Sequence, residues 1–191
     1  LLELAKSQHT DLSAGDTLVE TVLNYMIERF RAVYEDANIP AEVFMAVSAK
    51  ALTRPLDINQ RVLAVHGFSQ LPEAQSLAAA NKRVSNILAK LGDQAIPDLN
   101  TDLLQEPAEQ ALAKAVAEKA KQVAPLFAAA NYSDALAQLA DLRDTVDTFF
   151  DDVMVMADDE ALRNNRLALL SQLRALFLEV ADISLLVPAK K

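Results

Sequence analysis

The stretch Pro72-Glu-Ala-Gln-Ser-Leu-Ala-Ala-Ala-Asn-Lys-Arg-Val-Ser-Asn-Ile-Leu-Ala-Lys-Leu-Gly92 decides the fold class. Pro72 opens a helix, Leu77, Val84, Leu88 and Leu91 recur on one face of it, and Gly92 stands where a left-handed C-terminal cap belongs. Working towards the N-terminus, Asp57 caps a helix carrying Ile58, Val62 and Val65 as far as Gly67, and Pro40 sits in the first turn of a shorter one through Val43 and Val47. Before these, Val19, Val22, Leu23, Met26, Ile27, Phe30 and Val33 form another stripe at three- and four-residue steps. Towards the C-terminus, Gly92 to Glu106, with Pro97 and Asn100, reads as a loop holding at most one helical turn.

Pro107 then starts a helix rich in Ala and Lys, kinked or ended near Pro125. Ser133 caps the next, with the stripe Leu139, Leu142, Val146, Phe149, Val153 and Met156. The last follows Asp158 and Asp159 and runs through Leu169, Leu173, Leu176, Val180 and Ile183. With no strand pattern and no internal repeat, the expectation is an all-α helical bundle of about six to eight helices in one domain.

Composition agrees. The 191 residues are 52% apolar with a mean hydropathy of +0.11, and only 3 Gly and 7 Pro punctuate them. The absence of Cys removes disulfides and thiolate chemistry and fits a reducing compartment, so the cytoplasm is the expected location. No apolar run reaches the roughly 18 residues of a membrane span. The chain begins at Leu1 and reads as a piece of a longer protein, with residues 1–14 as a junction and 15–191 as the helical domain.

Catalytic chemistry has little to stand on. His9 and His66 are far apart with no Cys beside them, so no metal site is expected. Gly15, Gly67 and Gly92 are scattered, so no loop is built to cradle ATP phosphates. The pairs Asp151-Asp152 and Asp158-Asp159 read as solvated helix faces and an N-terminal cap rather than as an acid-base couple. The expectation is no catalytic residue, no metal and no cofactor in this chain.

Charge, by contrast, is unevenly spread. The net charge is -9, yet between Val43 and Leu91 the bases Lys50, Arg54, Arg61, Lys82, Arg83 and Lys90 face only Asp57 and Glu73, a local +4 that leaves -13 elsewhere. On a helical wheel Lys82, Arg83, Asn86 and Lys90 fall within an arc of about 100°, opposite the apolar stripe, and Gln75 extends the row. Cations for phosphates beside an amide for a base edge suit a nucleic acid. The candidate binding residues are therefore Arg54, Arg61, Lys82, Arg83, Asn86 and Lys90, followed by Arg163 and Arg174 on the last helix. Phe44 and Phe68 read as core. Arg166, inside the last apolar stripe, needs a buried partner, expected to be Asp147, Asp151 or Asp152.

The segment Ala78-Ala-Ala-Asn-Lys-Arg-Val-Ser-Asn-Ile-Leu-Ala-Lys90 resembles a signature of the DALR anticodon-binding domains of aminoacyl-tRNA synthetases. Within these it is most similar to the glycine–tRNA ligase beta subunits of bacteria. The likeness continues in Thr53-Arg-Pro55, Phe149-Phe-Asp-Asp-Val-Met-Val-Met156, Asn165-Arg-Leu-Ala-Leu-Leu170 and Leu176-Phe-Leu-Glu-Val-Ala-Asp-Ile-Ser-Leu-Leu186, and so spans nearly the whole chain. The element that names the family is met as Asp159, Ala161, Leu162 and Arg163, with Glu160 inserted.

The resemblance implies a non-catalytic module for the anticodon arm of tRNA(Gly), in an enzyme whose alpha subunit uses ATP and Mg. The glycine anticodon ends in two cytosines, so a reader would need acceptors for their amino groups, drawn from backbone carbonyls, Asp57, Glu73 or Asn86. Two alternatives stand beside it: a helical protein-interaction scaffold within the synthetase, and the anticodon domain of an arginyl-tRNA synthetase.

Overall fold

The structure, a computed structural model, describes residues 4, 7, 8, 18–92 and 95–187. The expected junction at residues 1–14 lies outside the described residues apart from those first three positions, and His9 lies outside them too. Among the described residues the chain forms eight α-helices and two 3-10 turns, and no strand. The helices are α1 (Leu18–Asp36), α2 (Ala41–Ser48), α3 (Pro55–Ser69), α4 (Ala74–Leu91), α5 (Pro107–Ala128), α6 (Tyr132–Ala140), α7 (Arg143–Asp152) and α8 (Glu160–Leu178). The 3-10 turns are Thr101–Leu103 and Ile183–Leu186. None of these helices is long and apolar enough to cross a membrane.

The stripes that define the helices also define the core. Leu77 and Val84 of α4, Leu112 of α5, Leu136 and Leu139 of α6, Phe149 of α7 and Leu170 and Phe177 of α8 are all buried together. Each such side chain contributes about 1.5–3 kcal/mol by leaving water. The helix α5 packs on α6, α7 and α8, while α4 packs on α7, α8 and the C-terminal 3-10 turn. Phe44 and Phe68 are core, as expected, with Phe68 tilted against Phe177 at 6.2 Å between ring centroids.

Several boundaries differ from the expected ones, each for a local reason. Pro55 occupies the first turn of α3, where its missing N–H costs nothing, so Asp57 lies inside the helix rather than capping it. Asn131, not Ser133, caps α6 by accepting the Asp134 N–H. The stripe from Leu139 to Val153 is buried throughout, but it belongs to two helices, because a tight turn with Leu142 N–H bonded to the Leu139 carbonyl (3.1 Å) separates α6 from α7. Its expected last member, Met156, faces solvent. Pro125 falls in the final turn of α5, which runs on to Ala128. Gly92 has φ +58°, the positive region that only glycine enters freely. The loop before α5 makes one 3-10 turn, as expected.

The last helix stops at Leu178, short of the expected Ile183. Lys50 donates to the Leu178 carbonyl, and Arg61 donates to those of Glu179 and Val180. Those carbonyls would otherwise be left open at a helix C-terminus. Asp182 N–H bonds the Ala46 carbonyl at 2.9 Å, which fastens the chain beyond α8 to α2.

Candidate nucleic-acid interface

Because α4 buries Leu77, Ala78, Asn81 and Val84, helical geometry turns Gln75, Lys82, Arg83, Asn86 and Lys90 outward, and all five are exposed. Lys82, Asn86 and Lys90 make no side-chain hydrogen bond or ion pair among the described residues. Arg83 lies over the ring of Phe150 on α7, 4.4 Å from its centroid. A cation over a ring face keeps its N–H groups available to an anion. Arg54, at the residue before α3, is also exposed.

The other three candidate arginines make contacts within the fold. Arg61 is buried, pairs with Asp57 at 3.0 Å, reaches the Tyr132 hydroxyl at 2.7 Å and stacks over that ring at 4.1 Å. Arg174 grips Asp182 with both terminal nitrogens, at 3.1 and 2.8 Å. Arg163 donates to the Ala157 carbonyl at 3.0 Å. Arg61 and Arg174 are thus each committed to an internal carboxylate, whereas Arg163 is partly exposed and spends one N–H on the backbone. The sequence does carry a signal for Arg61: with Ile58, Val62 and Val65 it occupies the i, i+3, i+4, i+7 positions of a buried stripe.

These pairings set the electrostatics around α3. Burial opposes the charge on Asp57, but hydrogen bonds from Tyr132 and Arg61 outweigh it and hold the carboxyl below its usual range. Asp57 thereby accepts on both oxygens from within the fold. Burial, with Arg61 nearby, lowers the Lys50 ammonium. Asp182 is likewise held low against its burial, by Arg174 and Ser184.

Arg166 is buried as expected, but its partner is Glu109 of α5 rather than any of the aspartates of α7. Glu109 also accepts the N–H groups of Gln105 and Glu106, at 2.8 and 2.9 Å, through its second oxygen. Arg166 in turn donates to the Met154 carbonyl at 2.8 Å. The loop between α7 and α8 is thus clamped at Met154 by Arg166 and at Ala157 by Arg163.

Within that loop Val153 and Val155 are buried, whereas Met154 is 74% and Met156 52% exposed. Two large apolar side chains are therefore presented to solvent on a fixed backbone. Met154 follows Phe150 by four residues, so their Cα atoms lie within about 15 Å of each other. Met154 and Met156 form an exposed apolar platform in the loop after α7. Asp159, one of the residues in the loosely matched family element, caps α8 by accepting the Leu162 N–H at 3.0 Å.

Known proteins are similar to this chain in sequence. A chain from Marinobacter nauticus named glycine–tRNA ligase beta subunit is 58% identical over 185 residues, covering 96% of this chain and 27% of its own length. Beta subunits so named from Chromohalobacter salexigens and Shewanella woodyi are each 55% identical, over 96% and 97% of this chain. The chain spans about a quarter of the length of these relatives, 27% in each case. Residues 77–184 match the DALR anticodon binding domain, a segment that takes in the outward row of α4 from Lys82, the methionine loop and all of α8. The chain belongs to the DALR anticodon-binding domain family.

Proposed function

We propose that this chain is the anticodon-arm-binding module of a glycine–tRNA ligase beta subunit, with residues 15–191 as the helical domain. In that reading it works in the cytoplasm and selects tRNA(Gly), while an alpha subunit carries out the ATP- and Mg-dependent attachment of glycine. The observation that carries it is the row Lys82, Arg83, Asn86 and Lys90, exposed together on α4 within the segment that matches the family. In a chain of net charge -9, this is where phosphates meet unopposed cations.

The row and the clamped loop divide the work. Lys82, Arg83 and Lys90 take phosphates and fix the register of the RNA, while Phe150, Met154 and Met156 offer an apolar surface for splayed bases. Sulfur and aromatic faces attract each other, which suits methionine to this role. Asn86 and the exposed carboxylates of Asp151 and Asp152 supply acceptors for cytosine amino groups.

Binding of tRNA(Gly) measured against salt tests both halves. Replacing Lys82, Arg83 and Lys90 by alanine lowers the slope of log affinity against log salt by about 2, at roughly 0.7–0.9 for each phosphate that is no longer neutralised. Equal affinity and slope in a folded triple variant would overturn the assignment. Met154→Ser with Met156→Ser weakens binding at every salt concentration by about 1–3 kcal/mol for each base unstacked, with the slope unchanged. A Met variant with a reduced slope, or one that bound as tightly as the wild type, would remove the platform from the reading.

A further inference from the structure

Two neighbours on α8, Asn165 and Arg166, are both buried, and each reaches a loop. Arg166 reaches the Met154 carbonyl. The Asn165 amide instead brackets a single residue of backbone: its oxygen accepts the Asn100 N–H at 2.7 Å and its nitrogen donates to the Asn100 carbonyl at 3.0 Å. A buried amide satisfied on both sides by one residue fixes where that residue sits. The loop before α5 is pinned a second time at Gln105 and Glu106, whose N–H groups go to Glu109. Between the pins Leu103 and Leu104 turn partly inward, while Thr101 and Asp102 are exposed. The Asp102 N–H is held by the Asn100 side chain at 3.0 Å, and its carboxylate makes no hydrogen bond or ion pair among the described residues.

The turn stands close to the methionine loop because one ion pair serves both. Glu109 takes the Gln105 N–H on one oxygen and Arg166 on the other, and Arg166 donates to the Met154 carbonyl. Three hydrogen bonds of about 2.9 Å and the widths of two planar groups put the Gln105 nitrogen within about 13 Å of the Met154 carbonyl oxygen. A carboxylate that close to an RNA-binding platform repels phosphate, and it also repels the O4 acceptor of uracil. Only a base that presents a donor compensates for it, and cytosine does so with its amino group.

We infer that the turn Thr101–Leu103 is a second base-reading edge of the interface, with Asp102 as the acceptor for an anticodon cytosine and Asn165 as the residue that positions it. This rests on the functional reading above and adds to it a residue that selects among RNAs.

Binding of tRNA(Gly) is compared, across a range of salt, with that of a transcript in which uridines replace the two anticodon cytosines. The wild-type chain prefers the cytosine form. Asp102→Ala lowers that preference roughly tenfold, as expected for one lost base contact. The same variant leaves Tm within about 2 °C and the salt slope as it was, because the side chain is exposed and touches no phosphate. Asp102→Asn, which keeps an acceptor oxygen, retains more of the preference than Asp102→Ala. Asn165→Leu removes both bonds to Asn100 at nearly constant volume, and at temperatures where it is folded it loses the preference as Asp102→Ala does while keeping the salt slope.

A folded Asn165→Leu protein with a lower Tm and an intact preference overturns the positioning role. An unchanged preference in Asp102→Ala overturns the reading edge, whatever Asn165→Leu does. A wild-type chain that binds both RNAs alike with a steep salt slope overturns this inference alone. One that binds neither overturns the functional reading, and this inference with it.

Discussion

Replacing Arg166 by methionine is expected to destabilise the domain by about 3–5 kcal/mol, because it strands the Glu109 carboxylate in the core. For a domain of this size that lowers Tm by roughly 10–15 °C. Glu109 is almost fully buried and is committed on its other oxygen to the N–H groups that open α5, so it cannot turn away to find water. Glu109→Gln combined with Arg166→Met removes the charge, keeps an acceptor for those N–H groups and restores more than half of the loss. Thermal unfolding of the two single variants and the double variant forms a cycle that isolates the pair. A single-variant cost below about 1 kcal/mol would show that the ion pair is not what holds α5 to α8. The variant also frees the Met154 carbonyl, so at temperatures where it remains folded its tRNA binding falls along with the methionine platform.

Arg61→Ala is the second large effect and separates a structural arginine from a binding one. The side chain serves Asp57, the Glu179 and Val180 carbonyls and the Tyr132 hydroxyl at once. Its removal leaves the Asp57 carboxylate without its cation and the Glu179 and Val180 carbonyls without their side-chain donor, a loss of about 3–5 kcal/mol. Arg61→Lys recovers less than half of this, since one ammonium cannot span partners that a planar fork reaches together. Below its Tm the alanine variant keeps the salt slope of tRNA binding, whereas Arg83→Ala lowers that slope by roughly 0.7–0.9. An Arg61→Ala protein with unaltered Tm and a reduced slope would reverse the two roles.

The contrast between Arg61 and Arg83 shows what can be read in the residues. Helix positions and the outward face of α4 follow from a 3.6-residue period, which is local, and the structure agrees with them. Net charge counts arginines alike, and so it groups Arg61, Arg163 and Arg174 with the surface cations. Apart from Asp57, one turn before Arg61 on α3, their partners lie beyond their own helices, and no periodicity reports those. The same holds for Glu109 with Arg166, 57 residues apart, and for the end of α8, which depends on donors from Lys50, just past α2, and from Arg61 of α3. Met154 and Met156 are hidden for another reason. Apolar character signals burial on average, and only the clamped, extended backbone shows that Val153 and Val155 turn inward while the methionines do not.

The Arg61 bond to the Val180 carbonyl joins residues 119 positions apart. At about 5–20 residues per second, a ribosome needs on the order of ten seconds to make the stretch between them. During that interval α3 carries an arginine in its apolar stripe with its distant carbonyl acceptors not yet synthesised. The helices α5 to α8, joined by short turns, can pair as they emerge, whereas α2 and α3 must wait for the far end of α8 before closing onto it. The clasp that ends the last helix is therefore also the step that completes the fold, and the earliest-made part of this core is among the last to become native.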